Sequence, residues 1–551
     1  MRRIVKKVLL PMLCVVALCV SAFGALSIAG SAADGNKSEA ILSKYDVDSY
    51  NGFVQTGKAG DGIVTAWDIL KVDGYIEGVW IPWLTHSWLG SSLAANPDME
   101  NNDSYYDLDS GTTKDYWQTM TQIGIDNYNN TQLEMEIFNL KALGYNVLAY
   151  AGAPWGEGRV NDTNTWYTTG VRSEYLTNIR RFLEICRKVD MPVCWYMHFH
   201  SSAVPQYASL DMWYRIAQVQ GDKGAADSYA ENFVKPVAQV LSEYRDVVVM
   251  VGIADETDNE INDSNRGDKF KEGSRDQYGV TQEDSMYFHS RIGQAVKKVM
   301  PDMPLTCADN AEEYAMYGDA MMDFPGRNQY SSGTNPSTTV TEAWASGPLL
   351  AGEYGLGTGT QTEDTWASTI TGKRDGYLNA GYSGFFQWAY EPTFKANAGS
   401  SGNQMTRQGA TSPYDLRKGA FEGYYWSETK KNSLGDSSKN TTGNPSAMYY
   451  CGTSLTFKIT NSSGNDATST TNFNGRVYWI QPKNQSSYKV ERTTNGGSTW
   501  TTVATSGAII DSSTYGSYRY YITDPSPVSS GTVQYRITVN GKTSYTNEWT
   551  Y

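Results

Sequence analysis

From about Thr65 to Trp426 the chain alternates between two apolar rhythms. Short unbroken apolar runs fit strands buried on both faces, and stretches with apolar residues every three or four positions fit helices with one buried stripe. The runs are Ile76 to Pro82, Asn146 to Ala151, Pro192 to Met197, the Val-rich run after Asp246, Pro304 to Ala308, Ala320 to Phe324, Pro348 to Gly352 and Gly384 to Trp388. Between them lie Leu133, Ile137 and Leu140, closed by Gly144 as a C-terminal cap, then Leu176, Ile179, Leu183 and Cys186. Further on come Phe233, Val237, Val240 and Leu241, with a kink expected at Pro236, and a helix from Gln282 to Val299. Eight such runs, mostly separated by helices, predict an α/β fold, a (β/α)8 TIM barrel spanning 66–428.

After Trp426 the helical period stops. A polar tract, 429–446, reads as a linker, and 447–551 offers short alternating runs broken by turn pairs: Asn495-Gly496-Gly497, and Asn540-Gly541 between Val539 and Lys542. These hairpin signals predict a small all-β sandwich. Through YKVERTTNGGSTWTTVA and VQYRITVNGKTSYTNEW the module resembles the fibronectin type III family.

At the other end, Arg2, Arg3, Lys6 and Lys7 precede an apolar stretch and the small residues Ser31, Ala32 and Ala33. This predicts a secretory signal over 1–33, followed by a polar lead-in, 34–65, and hence a secreted, extracellular protein. The length of the apolar run also suits an uncleaved membrane anchor, and no other stretch could span a bilayer. The formal charge of −14 includes the four signal cations, so it stands near −18 beyond Ala33. Such a surface repels nucleic acid and anionic lipid and favours a neutral partner. Cys186, Cys194 and Cys307 fall inside apolar patterns and read, with Cys451, as thiols outside any disulfide framework or zinc site. The 39 Tyr and 16 Trp exceed what a core needs and suit stacking on sugars.

Carboxylates bring in chemistry. In a parallel barrel the carboxyl ends of the strands face one mouth, and the fourth run ends in Ala254, Asp255, Glu256, Thr257 and Asp258. An acidic turn after a strand is commonly just a solvated loop. Glu353, ending the seventh run 97 residues later, supplies a second carboxylate on the opposite side of the same mouth. Two carboxyls so placed can divide glycoside hydrolysis, one donating a proton and the other attacking the anomeric carbon. Asp255 or Asp258 could replace Glu256 as the acid; Glu256 is preferred because strand alternation puts it on a face with the small residues Gly252 and Ala254.

On EYRDVVVMVGIADE, LLAGEYG and GFFQWAY the chain resembles the clan A glycoside hydrolases, most nearly the cellulase-like family 5, over roughly Ile76 to Trp388. The resemblance implies an acid/base at Glu256, a nucleophile at Glu353, a tyrosine steadying it at Tyr330, a sugar platform at Trp388, and a cleft-floor histidine at His198 or His200. Two departures stand out: Asp255 replaces the clan's Asn before the acid/base, and Asn146 to Ala151 lacks the cellulase-like arginine. Asp255 then becomes a candidate for a sugar hydroxyl, and Trp83 and Trp155 are further candidate stacking rings.

The sequence thus predicts a retaining glycoside hydrolase that acts, as a monomer, on the β-glycosidic bonds of a neutral polysaccharide or oligosaccharide. No cofactor is implied. One rival is a catalytically inactive carbohydrate-binding or adhesive protein, motivated by Asp255 and the missing arginine. Another is a metal-dependent deacetylase or amidohydrolase using His198 and His200, which alternate along one strand and share a face.

Overall fold

The computed structural model describes residues 62–81, 104–107, 112–115, 130–151, 159–162, 165, 167–198, 219–257, 280–308, 322–330, 348–356, 362–390, 405, 420, 423, 426–427, 430, 444–460, 466–481, 487–510 and 519–551. Among them, eight parallel strands share one sheet: β1 (Ile76–Trp80), β2 (Val147–Ala151), β3 (Val193–Tyr196), β4 (Val248–Asp255), β5 (Leu305–Ala308), β6 (Gly326–Gln329), β7 (Leu350–Tyr354) and β8 (Gly384–Gln387). The order is β6-β7-β8-β1-β2-β3-β4-β5. A parallel bridge between Thr306 and Phe324 joins β5 to the chain entering β6, so the sheet closes on itself as the (β/α)8 barrel that the alternation predicts.

Buried side chains fill the ring, among them Trp80, Tyr196, Met250 and Phe386. Close packing there demands small residues opposite large ones. On β4 a Cβ at Gly252 would lie 2.3 Å from the Tyr196 ring, so only glycine leaves Tyr196 its place. Helix α1 (Ala66–Asp73), ahead of the first expected strand, packs Ala66 and Ile69 into the same interior cluster. The outer layer includes α2 (Asn130–Ala142), α3 (Ser173–Val189), α4 (Lys223–Tyr229), α5 (Lys235–Ser242), α6 (Gln282–Val299) and α7 (Glu363–Asn379).

Three local expectations change. The sixth strand is not the run at Ala320 to Phe324: β6 is the polar Gly326–Gln329, and Phe324 contributes only the bridge. Apolar counting misses a strand whose Asn328 and Gln329 are buried because they serve polar partners. Near Pro236, where a kink is expected, a π-turn, Ala230–Val234, stands between α4 and α5; the backbone stays right-handed helical through Val234 and Lys235, so Pro236 enters a continuing helix. Strict alternation along β4 also fails: its pairing with β5 slips between Gly252 and Asp255, and Ala254 packs in the outer apolar cluster. Glu256 therefore does not share a face with Gly252 and Ala254 by simple period-two spacing.

The last segment forms antiparallel sheets, one ordered Ser446–Ala447, Arg476–Ile480, Arg519–Thr523, Ile509–Ile510 and another Thr501–Ala504, Lys489–Thr493, Thr532–Val539, Lys542–Tyr545. Trp479 and Ile522 from the first meet Val490 and Tyr535 from the second, which makes a two-layer sandwich. This module packs on α2. The Ser446 hydroxyl donates to the Ala142 carbonyl at 2.7 Å, the Tyr449 N–H donates to Asn139 Oδ1 at 3.3 Å, and the Tyr449 ring meets Phe138 edge-on at 5.9 Å.

Candidate active site

β4 and β7 each deliver a glutamate to the carboxyl end of the barrel, by different means. Glu353 is the fourth residue of β7, inside regular strand, and its backbone is the register partner of Asn328 on β6. Gly352 before it makes room for that neighbour, since a Cβ would sit 2.8 Å from Asn328 Oδ1. Glu256 is the first residue beyond β4 and takes a left-handed backbone, φ 47°. A non-glycine residue there costs about 1–2 kcal/mol, which the surroundings must supply. Its N–H donates to the Ala308 carbonyl at 2.6 Å, and the preceding Asp255 N–H donates to the His198 carbonyl at 3.1 Å.

Asn328 neighbours both glutamates, one through its backbone and the other through its side chain. While its backbone runs beside Glu353, its amide nitrogen donates to Glu256 Oε1 at 3.0 Å and reaches Asp255 Oδ1 at 3.5 Å. Tyr330, one residue past β6, donates its hydroxyl to Glu353 Oε2 at 2.5 Å; 40% of the residue faces solvent, but the hydroxyl is turned into the site. Burial first, and then the Glu353 charge, push the Tyr330 phenol well above its ordinary value, so it stays protonated and remains a donor.

The Glu353 carboxyl is pushed well above the usual carboxylate range. Burial is the first cause and the charge of Glu256 the second, while hydrogen bonds with Tyr330 and Asp255 pull the value back. Asp255 is fully buried. The slip in β4 puts it beside Glu353, and its charge is felt at Tyr196 and Tyr330 as well. Three carboxyl groups and a phenol thus crowd one mouth of the barrel, an arrangement that can keep a proton on one carboxyl at a pH where isolated carboxyls are ionised.

Trp388 is the first residue after β8. Its N–H donates to the Tyr354 carbonyl at 2.8 Å, its half-buried ring lies 5.6 Å from that of Trp80, and a cis peptide joins it to Ala389. The His198 ring, in contrast, is buried edge-on against Tyr229 and Phe288 of the helical layer, at 5.7 and 5.0 Å, and what it presents to Asp255 is its backbone carbonyl. Trp83, Trp155, His200 and Asp258 lie outside the described residues. Among the described residues no group of three or more His, Cys, Asp or Glu is placed to hold a metal ion, and no helix is long and apolar enough to cross a membrane.

Sequence reasoning passed over Asn328 and over the pairing of Thr257 with His289. The Thr257 hydroxyl lies 3.0 Å from His289 Nε2 on α6, both residues being buried. Burial lowers His289 to about 4, so its ring is neutral at pH 7. Cys186, Cys194, Cys307 and Cys451 are all buried free thiols.

No family model matches the chain, and no curated protein matches it in sequence. Solved structures resemble it in fold. They include an endo-1,4-β-mannanase from Eisenia fetida, with 14% identity over 56% of this chain and 87% of that one and a TM-score of 0.40. A β-mannanase from the blue mussel Mytilus edulis has 14% identity over 59% and 91%, with a TM-score of 0.42. An exo-β-1,4-mannosidase from Opitutaceae bacterium strain TAV5 has 11% identity over 69% and 63%, with a TM-score of 0.46.

Proposed function

We propose that the chain is a retaining β-glycoside hydrolase of the clan A type, acting on a neutral polysaccharide or oligosaccharide. The observation that carries this reading is the joint placement of Glu256 and Glu353, delivered by β4 and β7 to one mouth, where Asn328, the backbone neighbour of Glu353, donates to Glu256. Glu353 attacks the anomeric carbon in its ionised form, which the bond that Tyr330 donates favours against the opposing effects of burial and the Glu256 charge, and the proton that the leaving oxygen needs comes from Glu256. Glu256 gives that proton to the leaving oxygen, and the sugar is held as a glycosyl ester on Glu353. Glu256 then takes a proton from water, whose oxygen displaces Glu353 with net retention. Asp255 offers an oxygen to a sugar hydroxyl, and Trp388 offers a ring for stacking.

Secretion through Met1 to Ala33, a monomeric state, and a fibronectin type III-like spacer at the C-terminus complete the proposal. The signal is supported by its basic start and small-residue end, and the spacer by its hairpin motifs. The test is reducing-sugar release from β-glucans, mannans, xylans and galactans by the wild type, Glu256→Gln and Glu353→Gln. Activity lost in both variants is the expected result. Activity kept in both sinks the mechanism, and a wild type that binds a glycan without cleaving it supports an inactive carbohydrate-binding protein instead.

A further inference from the structure

Glu256 occupies a backbone conformation that few side-chain-bearing residues adopt, and such a conformation persists only where neighbours fix it from both sides. Upstream, Asp255 and Glu256 are tied through their N–H groups to the carbonyls of His198 and Ala308. Downstream, the first residue is Thr257, and its hydroxyl meets His289 Nε2 at 3.0 Å. His289 is 1% exposed and sits in α6, whose first turn is fixed by a reciprocal cap: the Asp284 N–H donates to Thr281 Oγ1 at 3.1 Å, and the Thr281 N–H donates to Asp284 Oδ2 at 3.1 Å. The preceding residue, Phe288, lies against the His198 ring at 5.0 Å. One helix therefore reaches the acidic turn through two consecutive side chains: Phe288 packs on His198, whose carbonyl accepts the Asp255 N–H, and His289 meets the Thr257 hydroxyl directly.

We propose that His289 is a positioning residue for proton transfer, acting through Thr257 to hold Glu256 in its left-handed conformation and so aim its carboxyl at the leaving oxygen. This rests on the reading of Glu256 as the acid/base. His289 touches neither sugar nor reacting atom. A lost tether would let the turn relax to a commoner backbone, withdrawing the proton donor while leaving Glu353 and the sugar-binding surface in place.

Thr257→Val keeps the shape and removes the hydroxyl, Thr257→Ser restores it, and His289→Ala removes the other partner. The substrates are a 2,4-dinitrophenyl β-glycoside, whose leaving group needs no protonation, and an unactivated oligosaccharide of the same sugar. The expected result is a loss on the order of 10- to 100-fold in kcat on the oligosaccharide with KM little changed, a much smaller loss of kcat/KM on the dinitrophenyl glycoside, and recovery in Thr257→Ser. The double variant should be no worse than either single one, because both break the same contact. Equal losses on both substrates, or no loss in a folded Thr257→Val protein, overturn the proposal. Glu256→Gln separates this failure from that of the parent reading: if it too lacks the leaving-group dependence, Glu256 is not the acid. A crystal structure of unliganded Thr257→Val gives a readout independent of activity. The proposal expects Glu256 to leave positive φ, and an unmoved Glu256 refutes it.

Discussion

Glu77 on β1 is 1% exposed and Glu353 on β7 is 4% exposed, yet the barrel treats the two carboxylates in opposite ways. Glu77, the second residue of its strand, faces a fully buried arginine: Arg374 of α7 approaches Glu77 Oε1 at 2.9 Å. The same guanidinium reaches Gln387 Oε1 and the Tyr145 hydroxyl, both at 3.3 Å, so its charge sits among polar partners. Glu353, the fourth residue of its strand, meets instead a phenol, a second carboxyl and the charge of Glu256. A buried carboxylate matched by a cation has its charge balanced and serves the scaffold. One placed among other carboxyls has a raised pKa and an unfavourable charge, a strain that chemistry can use.

Substitutions at the two glutamates should separate these roles, and the largest effect belongs to Glu353. Glu353→Gln should cut glycan hydrolysis on the order of 10^4-fold or more. It should also raise the unfolding midpoint at pH 7, because the folded chain no longer holds a carboxyl there whose charged form is disfavoured. Arg374→Met should do the reverse. It leaves Glu77 buried beside an apolar side chain, at a cost of about 3–5 kcal/mol in urea unfolding, while the folded fraction stays active. Replacing both partners, Glu77→Leu with Arg374→Met, should recover much of that loss.

Smaller effects come from pH. His289 drops from 6.5 to about 4 on folding, so the unfolded chain binds a proton near 6.5 that the folded chain refuses until about 4. Stability therefore falls as pH is lowered through that window, by roughly 3 kcal/mol in all, and His289→Gln should flatten this part of the unfolding-versus-pH curve. Tyr330→Phe removes the bond that opposes the upward shift of Glu353. Glu353 then takes up its proton at still higher pH, so the acid limb of the rate profile moves upward. The rate at the optimum should fall about 10- to 100-fold, as expected for loss of a hydrogen bond to a charged group.

The barrel was legible because its strands are buried on both faces. Runs such as VVVMV and PLTCA admit few other readings, and parallel topology then carried Glu256 and Glu353 to one mouth. What escaped notice was polar. β6 reads GRNQ, with Asn328 donating to Glu256 and Gln329 donating to the Tyr382 hydroxyl, and apolar runs cannot reveal such a strand. Glu77 and Glu353 look alike in sequence, each inside a short apolar run, and only their places along the strand tell scaffold from site. The Thr257 to His289 contact spans 32 residues, and nothing local marks it. A slipped register in β4 then undid the alternation argument for Glu256, although Glu256 itself stands at the strand end as expected.

The proposed mechanism requires Glu353 to be the residue that bonds to the sugar. Incubation of the protein with 2-deoxy-2-fluoro β-glycosyl fluorides of glucose, mannose and galactose, followed by mass spectrometry of the digested chain, reads this directly. A mass gain of one fluoro-sugar on the peptide carrying Glu353, absent from Glu353→Gln, is the predicted result. Labelling at Asp255 or Glu256 instead, or glycan turnover that releases the inverted anomer, would contradict it.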